Sequence, residues 1–153
     1  MSAVGLKDRL SADIKAAMLA RDSFVTDTLK GLKAAILNEE IQLNKRDVGL
    51  SDAEIETLFA REAKKRLEAA ALYESGANKE MAQKERQEHK IILGYLPKQL
   101  DEKEIQTIIA EVIQSTSAKS IQDMGKVIGG VKAKTGTSAD GAVVARLVKD
   151  ALQ

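Results

Sequence analysis

The chain has 153 residues, with 24 Lys+Arg against 23 Asp+Glu and a formal net charge of +1. So even a balance excludes the large single-sign field that coats DNA or a membrane surface, while 44% apolar and 31% charged residues mark a folded globular chain. Cysteine is absent and His89 is the lone histidine, which removes disulfides, thiolate nucleophiles, cysteine-based metal centres and multi-histidine sites, so no cofactor and no metal is expected. Lys7, Asp8 and Arg9 stand where a secretory signal would need its apolar stretch, and no window approaches the roughly 20 apolar residues of a membrane span. A cytoplasmic protein is the expectation.

Aromatic residues make up 3% and Pro97 is the one proline, so strand formers and breakers are scarce and the expected fold class is all-α. Leu6, Leu10, Ile14 and Met18 recur every four residues and predict a first helix with one buried face, interrupted at Arg21-Asp22-Ser23. A second stripe, Val25, Leu29, Leu32 and Ile36, follows with Ser23 as its expected N-cap and fades past Ile41 into a polar loop over 44–49. Ser51 and Glu54 form a capping box ahead of Ile55, Leu58, Phe59 and Leu67. This third helix is expected to stop at Gly76 in left-handed geometry. A fourth is predicted from Met81 to Tyr95, ended by Pro97.

A second cap, Asp101 with Glu104, opens a fifth helix carrying Ile105, Ile108, Ile109 and Val112. A sixth is read after Ser120, with Ile121, Met124, Ile128 and Val131, and a seventh after Ser138, with Val143, Val144, Leu147 and Val148. The expected organisation is a four-helix N-terminal domain over 1–96, a hinge at 97–100 and a small three-helix tail domain over 101–153. A segment of the tail's length buries only about 60% of its unfolded surface and is marginal alone.

Catalytic signatures are missing from the residues. His89 sits in the charged helical run 85–90 with no nucleophile motif beside it, and Gly125-Lys126 lacks the upstream glycine and the Ser or Thr of a phosphate loop. Glu39 and Glu40 project about 100° apart on a helix and read as a solvated helix end. Lys64-Lys65-Arg66, offset by Glu62 and Glu68, reads as an exposed face. Two features stand out in the tail. Gly125, Gly129 and Gly130 lie inside an amphipathic helix although each internal glycine costs roughly 1 kcal/mol against alanine; close packing on a neighbouring helix, or close approach of a partner, would compensate. Between Val112 and Ala139, Lys119, Lys126, Lys132 and Lys134 face Asp123 alone. This basic window ends in the small polar loop 134–138 before a helix N-terminus, where free amides and the helix dipole favour an anion.

Asn38-Glu39-Glu40-Ile41, Tyr95-Leu96-Pro97-Lys98-Gln99-Leu100, Met124-Gly125-Lys126-Val127 and Ala139-Asp140-Gly141 together resemble the YqeY family over nearly the whole chain. The C-terminal part is similar to the tail domain of GatB, a subunit of the glutamine-dependent amidotransferase that acts on misacylated tRNA. The resemblance implies a four-helix domain plus a three-helix tail, with tRNA, an aminoacyl-tRNA synthetase or amidotransferase subunits as partners. It further nominates Gly125, Lys126, Gly129, Lys132 and Lys134, with the amides near Ala139 and Asp140, as an RNA-facing surface, to which the basic window adds Lys119. The amidotransferase's catalytic body has no counterpart among these residues, so a non-catalytic role is expected, and a carbon–nitrogen ligase label would follow from shared domain membership alone. A protein-interaction adaptor is the rival reading. Where the family often carries a basic residue before Ala-Asp, this chain has Thr137-Ser138, and Gly31 occupies a position where the second helix would usually keep a side chain.

Overall fold

A computed structural model describes residues 4–153. Among them the regular structure is entirely helical: α1 (Leu6–Leu19), α2 (Ser23–Gln42), α3 (Asp52–Ser75), α4 (Lys79–Leu93), α5 (Glu102–Thr116), α6 (Met124–Thr135) and α7 (Gly141–Leu152), with single 3-10 turns at Ile121–Asp123 and Gly136–Ser138. Among the described residues no helix is long and apolar enough to cross a membrane. The chain divides into two compact units, Met1–Leu96 and Pro97–Gln153.

In the first unit α1 to α4 close around Leu10, Ile14, Leu29, Leu32, Ile36, Ile55, Leu58, Phe59, Ile92 and Tyr95. Phe59 is wholly buried and meets Tyr95 edge-on, with ring centroids 5.8 Å apart at 84°. In the second unit α5, α6 and α7 pack pairwise around Ile105, Ile109, Val112, Val127, Val131, Val144, Leu147 and Val148. Leu100 enters this unit through a backbone bond from its N–H to the Ser138 carbonyl at 2.8 Å.

Both predicted capping boxes form, Ser51 with Glu54 and Asp101 with Glu104, because each depends only on residues three apart. Other boundaries differ from the periodic reading. Asp22, not Ser23, caps α2, its carboxylate accepting from the Val25 N–H at 3.1 Å. Asn78 caps α4, which begins at Lys79, two residues ahead of the expected start at Met81, and stops at Leu93, well before Pro97. Before α7, Gly136–Ser138 forms a 3-10 turn and Asp140 supplies the cap. Met18, Leu67 and Ile121, read as core-facing, are exposed at 54%, 46% and 43%. Gly31 lies inside α2 without interrupting it.

Four helices, α1, α2, α3 and α5, end by one rule that no glycine announces. Arg21, Asn44, Ala77 and Ser117 all take left-handed φ values of 55° to 59°. At each, two backbone bonds reach back across the last turn: Asn78 N–H to Tyr73 and Ala77 N–H to Glu74 after α3, for example. This is the Schellman arrangement, filled by non-glycine residues at about 1 kcal/mol or more each. Gly76, expected to be the left-handed stop, has φ −83°; the turn needs its left-handed residue one position later, at Ala77.

Candidate nucleic-acid interface

Helix α6 is covered on one side by α5 and on another by α7, and its buried row is Val127, Val131 and Thr135. The outward row is Gly125, Gly129 and Ala133, all exposed and spaced four apart, hence one above another. Lys126 and Lys132 each lie about 60° round the helix from Gly129, on opposite sides. Lys126 leans toward α5 and its Nζ donates to the Thr116 carbonyl at 3.3 Å. Lys132 leans toward α7, its Cε 3.8 Å from the position a Cβ on Gly141 would take. The result is a smooth strip of helix backbone between two lysine rails.

The three glycines of α6 have different reasons. A Cβ on Gly130 would come within 2.7 Å of Val112 Cγ1, whereas one on Gly125 or Gly129 would meet nothing within 4 Å. Close packing on α5 therefore explains Gly130 only. Replacing Gly129 by alanine is expected to stabilise the protein by about 0.5–1 kcal/mol through helix propensity. At Gly130 the same change gains that propensity but forces the stiff, buried Val112 aside, at about 1–3 kcal/mol. Urea midpoints of the two variants should thus move in opposite directions or, at minimum, separate clearly.

The remaining nominated residues are more dispersed. Lys134 turns to α5 and pairs with Glu111 at 3.6 Å, an acid just outside the basic window. Lys119 precedes the 3-10 turn, where the Asp123 carboxylate accepts from the Lys119 and Ser120 N–H groups. Those backbone bonds, with smaller help from the charges of Lys126 and Lys119, hold the Asp123 carboxyl below its ordinary range. Ala139 is extended and half-buried ahead of α7. Asp140 places its own carboxylate at the helix start, accepting from the Ala142 N–H at 2.9 Å, so negative charge already occupies that terminus. Thr135, read as part of the loop, is buried at the end of α6 with its hydroxyl donating to the Val131 carbonyl.

Elsewhere, the described residues hold no group of three or more His, Asp or Glu arranged for a metal. His89 is half-buried with Nδ1 3.0 Å from the Ala63 carbonyl oxygen. Arg66, from the supposed exposed basic run, is instead enclosed by carboxylates, with Nε 3.0 Å from Glu88 and 3.9 Å from Glu85, and a guanidinium nitrogen 3.6 Å from Glu62. Burial, reinforced by Glu88, raises the Glu85 carboxyl above its usual value.

Two polar centres in the first unit escaped the periodic reading. Glu40, expected to be solvated, is 3% exposed; its Oε2 accepts from Lys7 Nζ at 2.5 Å and from the Leu50 N–H at 3.1 Å. Tyr95 donates its hydroxyl to Asp13, and Arg9 lies over the Tyr95 ring with its guanidinium carbon 4.4 Å from the centroid. Burial and then Asp13 push the phenol well above its ordinary value. The family-type segments at 38–41 and 95–100 contain these two residues, which was the one sequence signal pointing toward them.

The family model for Yqey-like protein matches residues 7–152. The chain belongs to the YqeY family. A search of the curated proteins finds no match. The matched span runs from the first turn of α1 to the last residue of α7 and takes in both units of this YqeY-family chain, including the α6 strip and the Glu40 and Tyr95 centres.

Proposed function

We propose that this chain is a non-catalytic helical module of tRNA metabolism, made of a four-helix domain and a three-helix tail, that grips structured RNA through the tail. The observation that carries the reading is the outward row of α6. Gly125 and Gly129 forgo helix stability without any packing contact to repay it, and Lys126 and Lys132 flank them. A backbone-bare strip admits a sugar-phosphate chain closely, and the lysines beside it neutralise phosphates. All four aromatic residues, Phe24, Phe59, Tyr73 and Tyr95, lie in the first unit. The tail thus has no platform for stacking unpaired bases, which favours recognition of a folded RNA by shape. The similarity of the tail to GatB supports the same reading.

The test is titration of bulk tRNA against the intact protein at several salt concentrations. Binding should weaken with salt at a log–log slope of about −1 to −2, as expected for one or two phosphate contacts. Lys126→Glu and Lys132→Glu should each weaken it roughly 5- to 10-fold, about 1–1.4 kcal/mol. Absence of binding, or binding indifferent to both substitutions, rejects the proposal.

One observation favours a second reading as a protein adaptor. A groove of about 540 Å³ between α5 and α7 is lined by Ile109, Ala110, Ile113, Leu147 and Ala151 together with the polar Gln106, Gln114 and Asp150, a lining suited to an amphipathic helix. Association with a synthetase or amidotransferase subunit that survives ribonuclease would support this reading over the first.

A further inference from the structure

The segment joining α2 to α3 contributes little apolar burial of its own. Of residues 43–50 only Leu50 is buried, while Leu43 and Val48 are exposed at 48% and 90%. The loop is nonetheless tightly specified. Lys45 N–H donates to the Glu40 carbonyl and Gly49 N–H to the Lys45 carbonyl, both at 2.7 Å. Asn44 and Gly49 adopt left-handed backbone at either end. At the centre lies the Glu40 carboxylate, which receives Lys7 from α1 and the Leu50 N–H, with Arg46 of the loop 3.5 Å away. A Cβ on Gly49 would sit 3.3 Å from Glu40 Oε2 and 3.2 Å from Lys7 Nζ, so the chain passes directly against the ion pair. Lys45 to Glu54, at 2.5 Å, and the Leu6 N–H to Asp52, at 3.1 Å, fasten the flanks.

We propose that residues 43–50 form a charge-held strap whose closed state depends on Lys7 against Glu40, and that neutralising Lys7 releases the strap while the four-helix core stays folded. Three features support it. Lys7 is half accessible, at 49% of its side chain, so its charge can be altered from solvent without unfolding. Removing that charge leaves a buried carboxylate with Arg46, itself 60% exposed, as its one cationic neighbour among the described residues. Burying an underpaired charge is costly, and opening the strap lets water reach Glu40. Of residues 43–50, Leu50 alone belongs to the buried cluster that holds Leu10, Leu32, Phe59 and Ile92. A loop built in this way opens as its own unit, below the free energy of global unfolding. Release would change the presentation of Leu43 and Val48, the two apolar side chains it displays.

The experiment is amide hydrogen exchange on the full chain with Lys7→Gln, Lys7→Arg and Glu40→Gln. In Lys7→Gln the Leu50 and Gly49 amides should exchange at least 10-fold faster, with the amides of Phe59 and Ile92 unchanged. Lys7→Arg, which keeps the charge, should protect Leu50 as the parent does. Glu40→Gln removes the buried charge itself and retains an acceptor for the Leu50 N–H, so its Leu50 exchange should fall between those of the parent and Lys7→Gln. Unchanged Leu50 exchange in Lys7→Gln, equal acceleration at core and strap, or equal behaviour of Lys7→Gln and Lys7→Arg would each overturn the proposal. Because Lys7 is at the surface, its variants keep the test decisive even where Glu40→Gln fails to fold.

Discussion

Replacing Phe59 by alanine is expected to destabilise the first unit by about 3–5 kcal/mol, the cost of removing a fully enclosed aromatic ring and leaving a cavity. Phe59 has no exposed surface. It lies in the cluster that joins Leu10 and Ile14 of α1, Leu29, Leu32 and Ile36 of α2, and Ile92 of α4, so no single helix can shift to refill the space without unpacking another. Loss of the edge-on contact to Tyr95 adds to the area term. A unit of this size has a total stability on the order of 5–10 kcal/mol, so the variant should be at the border of folding. Urea unfolding followed by far-UV circular dichroism measures it; a loss below about 1 kcal/mol would show that this cluster is not the cooperative core of the unit.

Glu40→Ala is expected to cost about 2–3 kcal/mol, from an orphaned, buried Leu50 N–H and the lost charge-assisted bonds. The half-exposed Lys7 regains water and moderates the loss. The same carboxyl predicts a pH dependence. Its bond from Lys7 is the main reason that its pKa lies below the ordinary value of 4.5, with the Leu50 amide and Arg46 assisting against burial. A carboxyl with a depressed native pKa binds protons more weakly folded than unfolded, so its contribution is complete above about pH 4.5 and is lost as pH falls from there through the native pKa. Stability of the parent protein should therefore fall on acidification below about pH 4.5, and more steeply than that of Glu40→Gln. Parallel slopes for the two proteins would exclude Glu40 as a major contributor to the acid limb.

Glu40 also shows where reading residues by pattern stops working. A glutamate in the last turn of an amphipathic helix, beside Glu39 and ahead of a polar loop, is by every local criterion solvent-facing. Its burial arises because α1 brings Lys7 across from a position 33 residues away and the loop folds back to deliver the Leu50 amide. Tyr95 is similar, since its partners Arg9 and Asp13 come from the opposite end of the unit. On α6 the row containing Gly125 and Gly129 followed from helical spacing. Which glycine carried the packing did not, because a residue without a side chain leaves no apolar or polar mark of the face it occupies. Only the position of Val112 on α5 distinguishes Gly130 from the other two.

Sequence alone determined the all-helical class, both capping boxes and membership of the YqeY family. Each rests on interactions within one turn or on the order of residues along the chain, and these survive whatever the helices pack against. Tertiary structure decided where the helices end, which polar groups are buried and which glycines are bare. The left-handed stops at Arg21, Asn44, Ala77 and Ser117 carry no glycine signal. Their conformational cost is met by the packing that each turn permits between successive helices, and packing is a property of distant residues that a local pattern does not contain.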